Sequence, residues 1–232
     1  MDKEIISIIE RNRISSTEVA DALGKKGVLE GMLPINSGKH VSGKVKYVYT
    51  FDETNWPIHE QVQDLEGDVI LFVDTFNCGT KAIFGDLVAK YLILYKRVKG
   101  IVVNGYMRDI PNLKKHNYPI WCLGYTPLGC ANINLTASND IVKKAEARKK
   151  IFEGGIITCD DSGCTLIKEL EINEETYKRL DLIELQEDIW FFCIDTLKWS
   201  TYETVCLKRY LTETDVLPPA LRKRLMEIPF EG

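Results

Sequence analysis

Two unbroken apolar runs, Asp68-Val-Ile-Leu-Phe-Val-Asp74 and Gly100-Ile-Val-Val-Asn-Gly105, constrain this chain more than any other feature. A strand with one face in water alternates apolar and polar residues, whereas a run without alternation must be covered on both faces. Between the runs, after a turn at Asn77 to Gly79, the spacing predicts a helix from about Asp86 to Val98. Val88, Tyr91, Leu92 and Tyr95 lie on one stripe of it. Strand, helix, strand of this length is a βαβ unit, so at least part of the sheet is parallel. Tyr118-Pro-Ile-Trp-Cys-Leu-Gly124 reads as a further strand. The fold class is α/β.

The flanks fit around this centre. Residues 3–12 carry Ile5, Ile6, Ile8 and Ile9 as a short helix with one apolar face. Ser15 and Glu18 have capping-box spacing and open a second helix that ends at Gly24. Val45 to Tyr49 reads as a strand, and Pro57 opens a helix carrying Ile58, Val62 and Leu65. Gly154 to Ile167 reads as a β-hairpin turning at Asp160 to Gly163. From about Asn173 the texture becomes amphipathic helix, with Trp190, Cys193, Ile194 and Leu197 at helical spacing. Pro218-Pro219 precedes a last basic turn around Arg222 to Arg224. The expected organisation is an α/β body over 1–172 and a C-terminal helical extension over 173–232.

Composition narrows the function classes. Among 232 residues, 30 Lys+Arg against 34 Asp+Glu give a net charge of −4, which argues against a protein built to grip a phosphate backbone. No apolar run approaches the roughly 20 residues that span a bilayer, and Met1 opens on Asp2-Lys3-Glu4 without a leader pattern. The 7 cysteines form no C-x-x-C pair and leave one over, so a reducing, cytoplasmic location is expected. Gly38-Lys39-His40 is not a phosphate loop, because Leu33 and His40 stand where Gly and Ser or Thr are required. His40, His59 and His116 are too dispersed for a zinc site, and Cys159 and Cys164 read as buried small apolar residues. Lys143 to Lys150 carries five positive charges and one negative. Such runs ordinarily face solvent, contact with RNA or an acidic partner being the other reading.

The candidate chemistry sits at the ends of the two apolar strands. Gly85-Asp86 opens a helix whose free N–H groups suit a carboxylate or phosphate. Arg108-Asp109 lies just beyond the carboxyl end of the next strand, where open α/β sheets put their ligands. An Arg supplies a two-pronged grip on an anionic oxygen, and an Asp supplies a hard oxygen for Mg²⁺. A helix cap and a salt-bridged turn would have the same spacing.

In order along the chain, Thr17-Glu-Val-Ala-Asp-Ala-Leu-Gly24, Gly85-Asp86-Leu87, Gly105-x-x-Arg108-Asp109, Pro119-Ile-Trp-Cys-Leu-Gly124 and Gly155-Ile-Ile-Thr-Cys-Asp160-Asp-Ser-Gly163 resemble the RraA-like family over about residues 14–170. That family is named for a regulator of ribonuclease E and includes class II 4-hydroxy-4-methyl-2-oxoglutarate aldolases. The resemblance implies a swivelling β/β/α sandwich assembled as a homotrimer, with the cleft between subunits. In the aldolase branch it implies that the backbone of Gly85, Asp86, Leu87 and Val88 receives a pyruvate carboxylate. It further implies that Arg108 holds the keto oxygen and that Asp109 ligates Mg²⁺ or Mn²⁺. The implied reactions are cleavage of a 4-hydroxy-4-methyl-2-oxo acid, or decarboxylation of oxaloacetate, through a pyruvate enolate. The alternative it implies is a non-catalytic regulator binding a ribonuclease or other macromolecule. The chain departs from many aldolase-branch members at Asn104-Gly105, where they have Asp-Gly. Acidic residues supplied by a neighbouring subunit are expected too, with Glu169, Glu171, Glu174 and Glu175 as candidates.

Overall fold

The computed structural model describes residues 1–65 and 67–227. Its strands are β1 (Leu33–Pro34), β2 (Val41–Phe51), β3 (Val69–Phe76), β4 (Ala82–Phe84), β5 (Gly100–Met107), β6 (Ile120–Tyr125), β7 (Ile156–Asp160) and β8 (Gly163–Ile167). The helices are α1 (Asp2–Asn12), α2 (Ser16–Ala22), α3 (Trp56–Gln61), α4 (Asp86–Lys90), α5 (Ile110–His116), α6 (Asn139–Phe152), α7 (Glu174–Asp195) and α8 (Pro219–Glu227). The strands form one mixed sheet of order β1-β6-β5-β3-β2-β7-β8, with β4 on the far half of β5. The predicted parallel centre is present: β2, β3, β5 and β6 run parallel, with Ile70 opposite Gly100 and Val73 opposite Val103. The β7–β8 hairpin turns where the sequence placed it and joins β2 antiparallel.

The sheet curls almost into a barrel. Leu166 N–H donates to the Gly27 carbonyl at 2.8 Å and Leu29 N–H to the Cys164 carbonyl at 2.9 Å, so the segment leading to β1 is stitched onto the β8 edge. The concave face gathers Val45, Tyr47, Ile70, Phe72, Val102, Trp121, Ile157 and Leu166. The convex face of β3, β5 and β6 carries Leu71, Val73, Ile101, Val103 and Ile120 under α3, α4 and α5. Alternate residues of each central strand thus enter two different cores, which is why neither strand shows a polar face.

One buried carboxylate interrupts the concave core. Asp74, with 2% of its side chain exposed, receives Arg148 Nε at 2.6 Å, Asn104 Nδ2 at 2.7 Å and Tyr47 OH at 3.2 Å. Burial, then the Asp74 charge, pushes the Tyr47 hydroxyl well above the usual phenol range. Arg148 belongs to the basic run and also lies 4.6 Å from the centre of the Phe152 ring, so α6 is pinned across this end of the sheet. The run is therefore not a uniformly solvated face. Ile141, Ala145 and Phe152 of the same helix are buried as well.

Local signals held to different degrees. The Ser15–Glu18 capping box forms, with Ser15 N–H donating to Glu18 Oε2 at 2.7 Å. The helix after Gly85 is shorter than its spacing predicts: α4 passes into a π turn at Tyr91–Tyr95 and stops. Ala89 and Leu92 are buried there, whereas Tyr91 and Tyr95 face outward. In α7 the buried apolar positions are Leu180, Leu185, Ile189 and Cys193; of the stripe predicted through Trp190, Cys193, Ile194 and Leu197, Cys193 is buried and the other three are half-buried. The registers differ because α7 packs first on α1 and α2 and then on the turns that follow it.

Two small cores follow from this. Leu180 joins Ile5, Ile8, Ile9, Ile14, Val19, Ile156 and Ile167, while Leu185, Ile189 and Cys193 pack with Tyr210, Leu217 and Leu225. Helix α7 begins at the Asn173 cap, and residues 228–232 lie outside the described residues.

Two truncations separate these cores. Ending the chain after residue 172 strips Leu180 from the α1–α2 cluster, and insoluble protein is expected. Ending it after Thr196 keeps that cluster, so a soluble but less stable protein is expected. Sedimentation and thermal melting check both, and a cooperatively folding 1–172 fragment would contradict the assignment. Separately, Arg148→Met leaves Asp74 as a buried charge facing only neutral donors. It should cost about 3 kcal/mol in a urea titration, with partial recovery on adding Asp74→Asn.

Candidate active site

Beyond Met107 the last strand pairing continues for one residue, Arg108 N–H donating to the Phe84 carbonyl at 3.2 Å. The chain then turns at Asp109, whose φ of 60° is left-handed, and α5 begins with the Asn112 and Leu113 N–H groups returning to the Asp109 carbonyl. Asp is among the few residues that tolerate this conformation. The sharp turn aims the Asp109 carboxylate back at the start of α4, where Asp86 N–H donates to Asp109 Oδ2 at 3.3 Å. The Gly85–Asp86 and Arg108–Asp109 motifs, 23 positions apart, therefore meet at one rim.

Clearance for both charged groups is set by two glycines. A Cβ on Gly85 would lie 2.0 Å from Asp109 Oδ2, and one on Gly129 would lie 2.2 Å from Arg108 Nη1. Neither glycine has positive φ, so what they supply is space. Gly129 sits in the segment 128–131, which is laid beside β4 by Ala82 N–H to Leu128 O and Cys130 N–H to Ala82 O, each 2.8 Å. Sequence reasoning missed Gly129. A single Gly in Thr126-Pro-Leu-Gly129 carries no signal beyond a turn.

Arg108 and Asp109 are 44% and 46% exposed, with Arg108 Nε 3.9 Å from Asp109 Oδ2. At that exposure the pair contributes little to stability, and both groups are open to a ligand. Asp86 is more enclosed. Its Oδ1 is buried without a hydrogen-bond partner and lies 3.7 Å from His116 Nε2, at the end of α5. His116 is stacked on Tyr118, ring centres 5.2 Å apart. Burial, then the Asp86 charge, raises the Tyr118 hydroxyl.

The first-turn amides are thus already shared. The Asp86 N–H is engaged by Asp109, which leaves those of Leu87 and Val88 as the orphan donors of the turn. Leu87 itself is 82% exposed. Asn104 is not at the rim, because its amide is turned to the concave face and bound to Asp74. The departure from Asp-Gly therefore concerns the buried ion pair, where a second carboxylate would face Asp74. The four candidate acids are engaged locally: Glu169 abuts Gly154, Glu171 accepts from Lys168 N–H, and Glu174 and Glu175 pair with Lys178 and Arg179. Among the described residues no three His, Cys, Asp or Glu converge as a metal cluster, and no helix is long and apolar enough to cross a membrane.

A candidate 4-hydroxy-4-methyl-2-oxoglutarate aldolase of Halalkalibacterium halodurans is 32% identical over 174 residues, 71% of this chain and 77% of that protein. Among solved structures, a Pseudomonas syringae protein superposes with a TM-score of 0.64 at 20% identity, over 84% of this chain and 93% of its own. Streptomyces coelicolor RraAS2, described as an unusual member of the RNase ES inhibitor RraA protein family, superposes with a TM-score of 0.60 at 22% identity. The match covers 81% of this chain and 96% of that one. These structural likenesses establish the mixed α/β fold. Residues 16–166 match the RraA-like profile, Aldolase/RraA, and the chain belongs to the RraA-like family.

Proposed function

We propose that this protein is a divalent-metal-dependent lyase acting on a small 2-oxo acid, of the 4-hydroxy-4-methyl-2-oxoglutarate aldolase or oxaloacetate decarboxylase type. The observation that carries this reading is the single rim at which Asp109, Arg108 and the start of α4 meet, with Gly85 and Gly129 holding room for the two charged groups. In this reading the Leu87 and Val88 amides receive the substrate carboxylate beside Gly85 and Asp86. The Arg108 guanidinium presents paired N–H donors to the 2-oxo oxygen, where negative charge grows as the neighbouring carbon–carbon bond breaks.

The donor set fits Mg²⁺ or Mn²⁺. Asp109 offers a hard carboxylate oxygen, and Asp86, whose Oδ1 has no hydrogen-bond partner and stands 3.7 Å from His116 Nε2, begins α4 at the same rim. Two carboxylates from one chain suit a cation that keeps several waters and takes its remaining ligands from substrate or a second copy. When bound, such a cation supplies positive charge against the enolate left by cleavage.

A homotrimer belongs to the same proposal. The outer face of α4 and its π turn presents Leu87, Tyr91, Leu94 and Tyr95 to solvent directly beside the rim. An apolar face of this kind suits contact with another copy. Within a homotrimer, acids of a neighbour's extension would have a route to the site that they lack within one chain.

Pyruvate release from 4-hydroxy-4-methyl-2-oxoglutarate and from oxaloacetate, with and without Mg²⁺ or Mn²⁺, tests the reaction. Arg108→Ala should lose roughly a hundredfold or more in turnover while sparing Mn²⁺ binding, and Arg108→Lys should not fully restore it. Asp109→Asn should weaken Mn²⁺ binding, read by calorimetry. A folded, metal-loaded protein inert toward both substrates would favour the ribonuclease-binding regulator. For assembly, light scattering should give three chains for the wild type, and Leu94→Glu with Tyr95→Lys should shift it to monomer. A wild type monomeric at micromolar concentration would contradict the trimer.

A further inference from the structure

Helix α6 does more than supply Arg148 to the buried carboxylate. It roofs a hollow of about 220 Å³ that the rim chemistry does not use. Tyr47 and Tyr49 of β2 and Gln61 of α3 form one wall, and Val142, Ala145, Glu146 and Lys149 of α6 form the other. Sites for drug-sized ligands run to roughly 300–1,000 Å³, so this one is sized for a single ring with short substituents.

The polar groups of the β2–α3 wall are already spent. Gln61 Oε1 accepts Tyr49 N–H at 3.2 Å, and its Nε2 donates to the Tyr49 and Pro57 carbonyls at 2.7 and 2.8 Å. Tyr47 OH donates to Asp74. What remains on this wall is ring surface, the Tyr47 and Tyr49 rings having centres 6.5 Å apart and planes 25° apart. Opposite them Val142 is half-buried and Ala145 buried, and the short Ala145 side chain leaves space that a longer one would fill.

The mouth carries both signs of charge. Glu146 and Lys149 are exposed and line the same hollow from one helix. Among the described residues neither is ion-paired, whereas Lys144 is held by Asp140 and Arg148 by Asp74. Residues three apart on a helix are neighbours, so an unspent carboxylate and an unspent ammonium stand together above an aromatic floor. Arg148 is not available to an anion there, since its guanidinium is committed to Asp74 and Phe152.

We propose that this hollow binds a free aromatic α-amino acid. The ring packs against Tyr47 and Tyr49, with Val142 and Ala145 on its other side. The carboxylate meets Lys149 and the ammonium meets Glu146. Offset stacking of rings adds to the burial of their area, which favours an aryl over an alkyl side chain. A lone anion would face Glu146 and a lone cation Lys149, so the mouth selects a ligand that carries both charges.

The test is calorimetric titration of the full chain with L-phenylalanine, beside 3-phenylpropionate, which lacks the ammonium, and 2-phenylethylamine, which lacks the carboxylate. One site per chain is expected for L-phenylalanine, with each analogue weaker by about tenfold or more. Glu146→Gln should weaken L-phenylalanine about tenfold without weakening 3-phenylpropionate, and Lys149→Gln should weaken it as much without weakening 2-phenylethylamine. Ala145→Leu should abolish binding by filling the hollow. Where that variant melts early, the two exposed charge variants decide. No saturable binding, equal binding of the three compounds, or L-phenylalanine binding unchanged in both charge variants would overturn the proposal. The readout is binding without turnover, so this site and the proposed reaction stand or fall separately.

Discussion

Two-sided burial of β3 and β5 governs the rest of the molecule. Their alternate residues enter separate cores, so one face must be roofed by helices and the other by the sheet itself. The α3, α4 and α5 crossovers supply the roof. Curling of the sheet supplies the second cover, secured by the contacts of residues 27–29 with β8. Parallel strands joined by crossovers end on the same side, and that puts Arg108, at the end of β5, beside the start of α4.

The concave core accommodates one ionised group, and the environment of Asp74 explains how. It receives a guanidinium, an amide and a phenol, so the desolvated charge on β3 is met by donors from three other elements: β2, β5 and α6. A buried ion pair of this kind is weak evidence of net stability, since desolvation offsets much of its attraction. Its structural consequence is specific docking. It fixes which face of α6 meets the sheet, and it makes a neutral amide at position 104 the compatible choice.

At the rim, placement is achieved by small residues as much as by charged ones. Gly85 and Gly129 leave room for a carboxylate and a guanidinium that any side chain would displace. The αL turn at Asp109 converts a strand ending into a carboxylate aimed at a helix start. Both charged groups are nearly half exposed, so their mutual pairing contributes little to stability.

Read from the sequence alone, the apolar runs determine a parallel α/β centre, because unalternating β-branched residues can be buried only between two layers. The Ser15–Glu18 box and the Asp160–Gly163 turn are equally legible, since their physics lies within a few residues. The pairing of Gly85-Asp86 with Arg108-Asp109 could be read because topology dictates it. Only the tertiary structure decided the rest. Arg148 looked like one more charge in a basic run until the fold brought Asp74, distant in sequence, within 2.6 Å. Gly129 carried no signal because its role is the absence of a side chain at a place defined by Arg108. The buried face of α7 was placed correctly only in part, at Cys193, because its spacing admits several stripes, and the partner surfaces on α1, α2 and the later turns select among them. Periodicity and caps are local properties of the chain, whereas a charge's partner, a glycine's clearance and a helix's buried face are set by what the fold places opposite them.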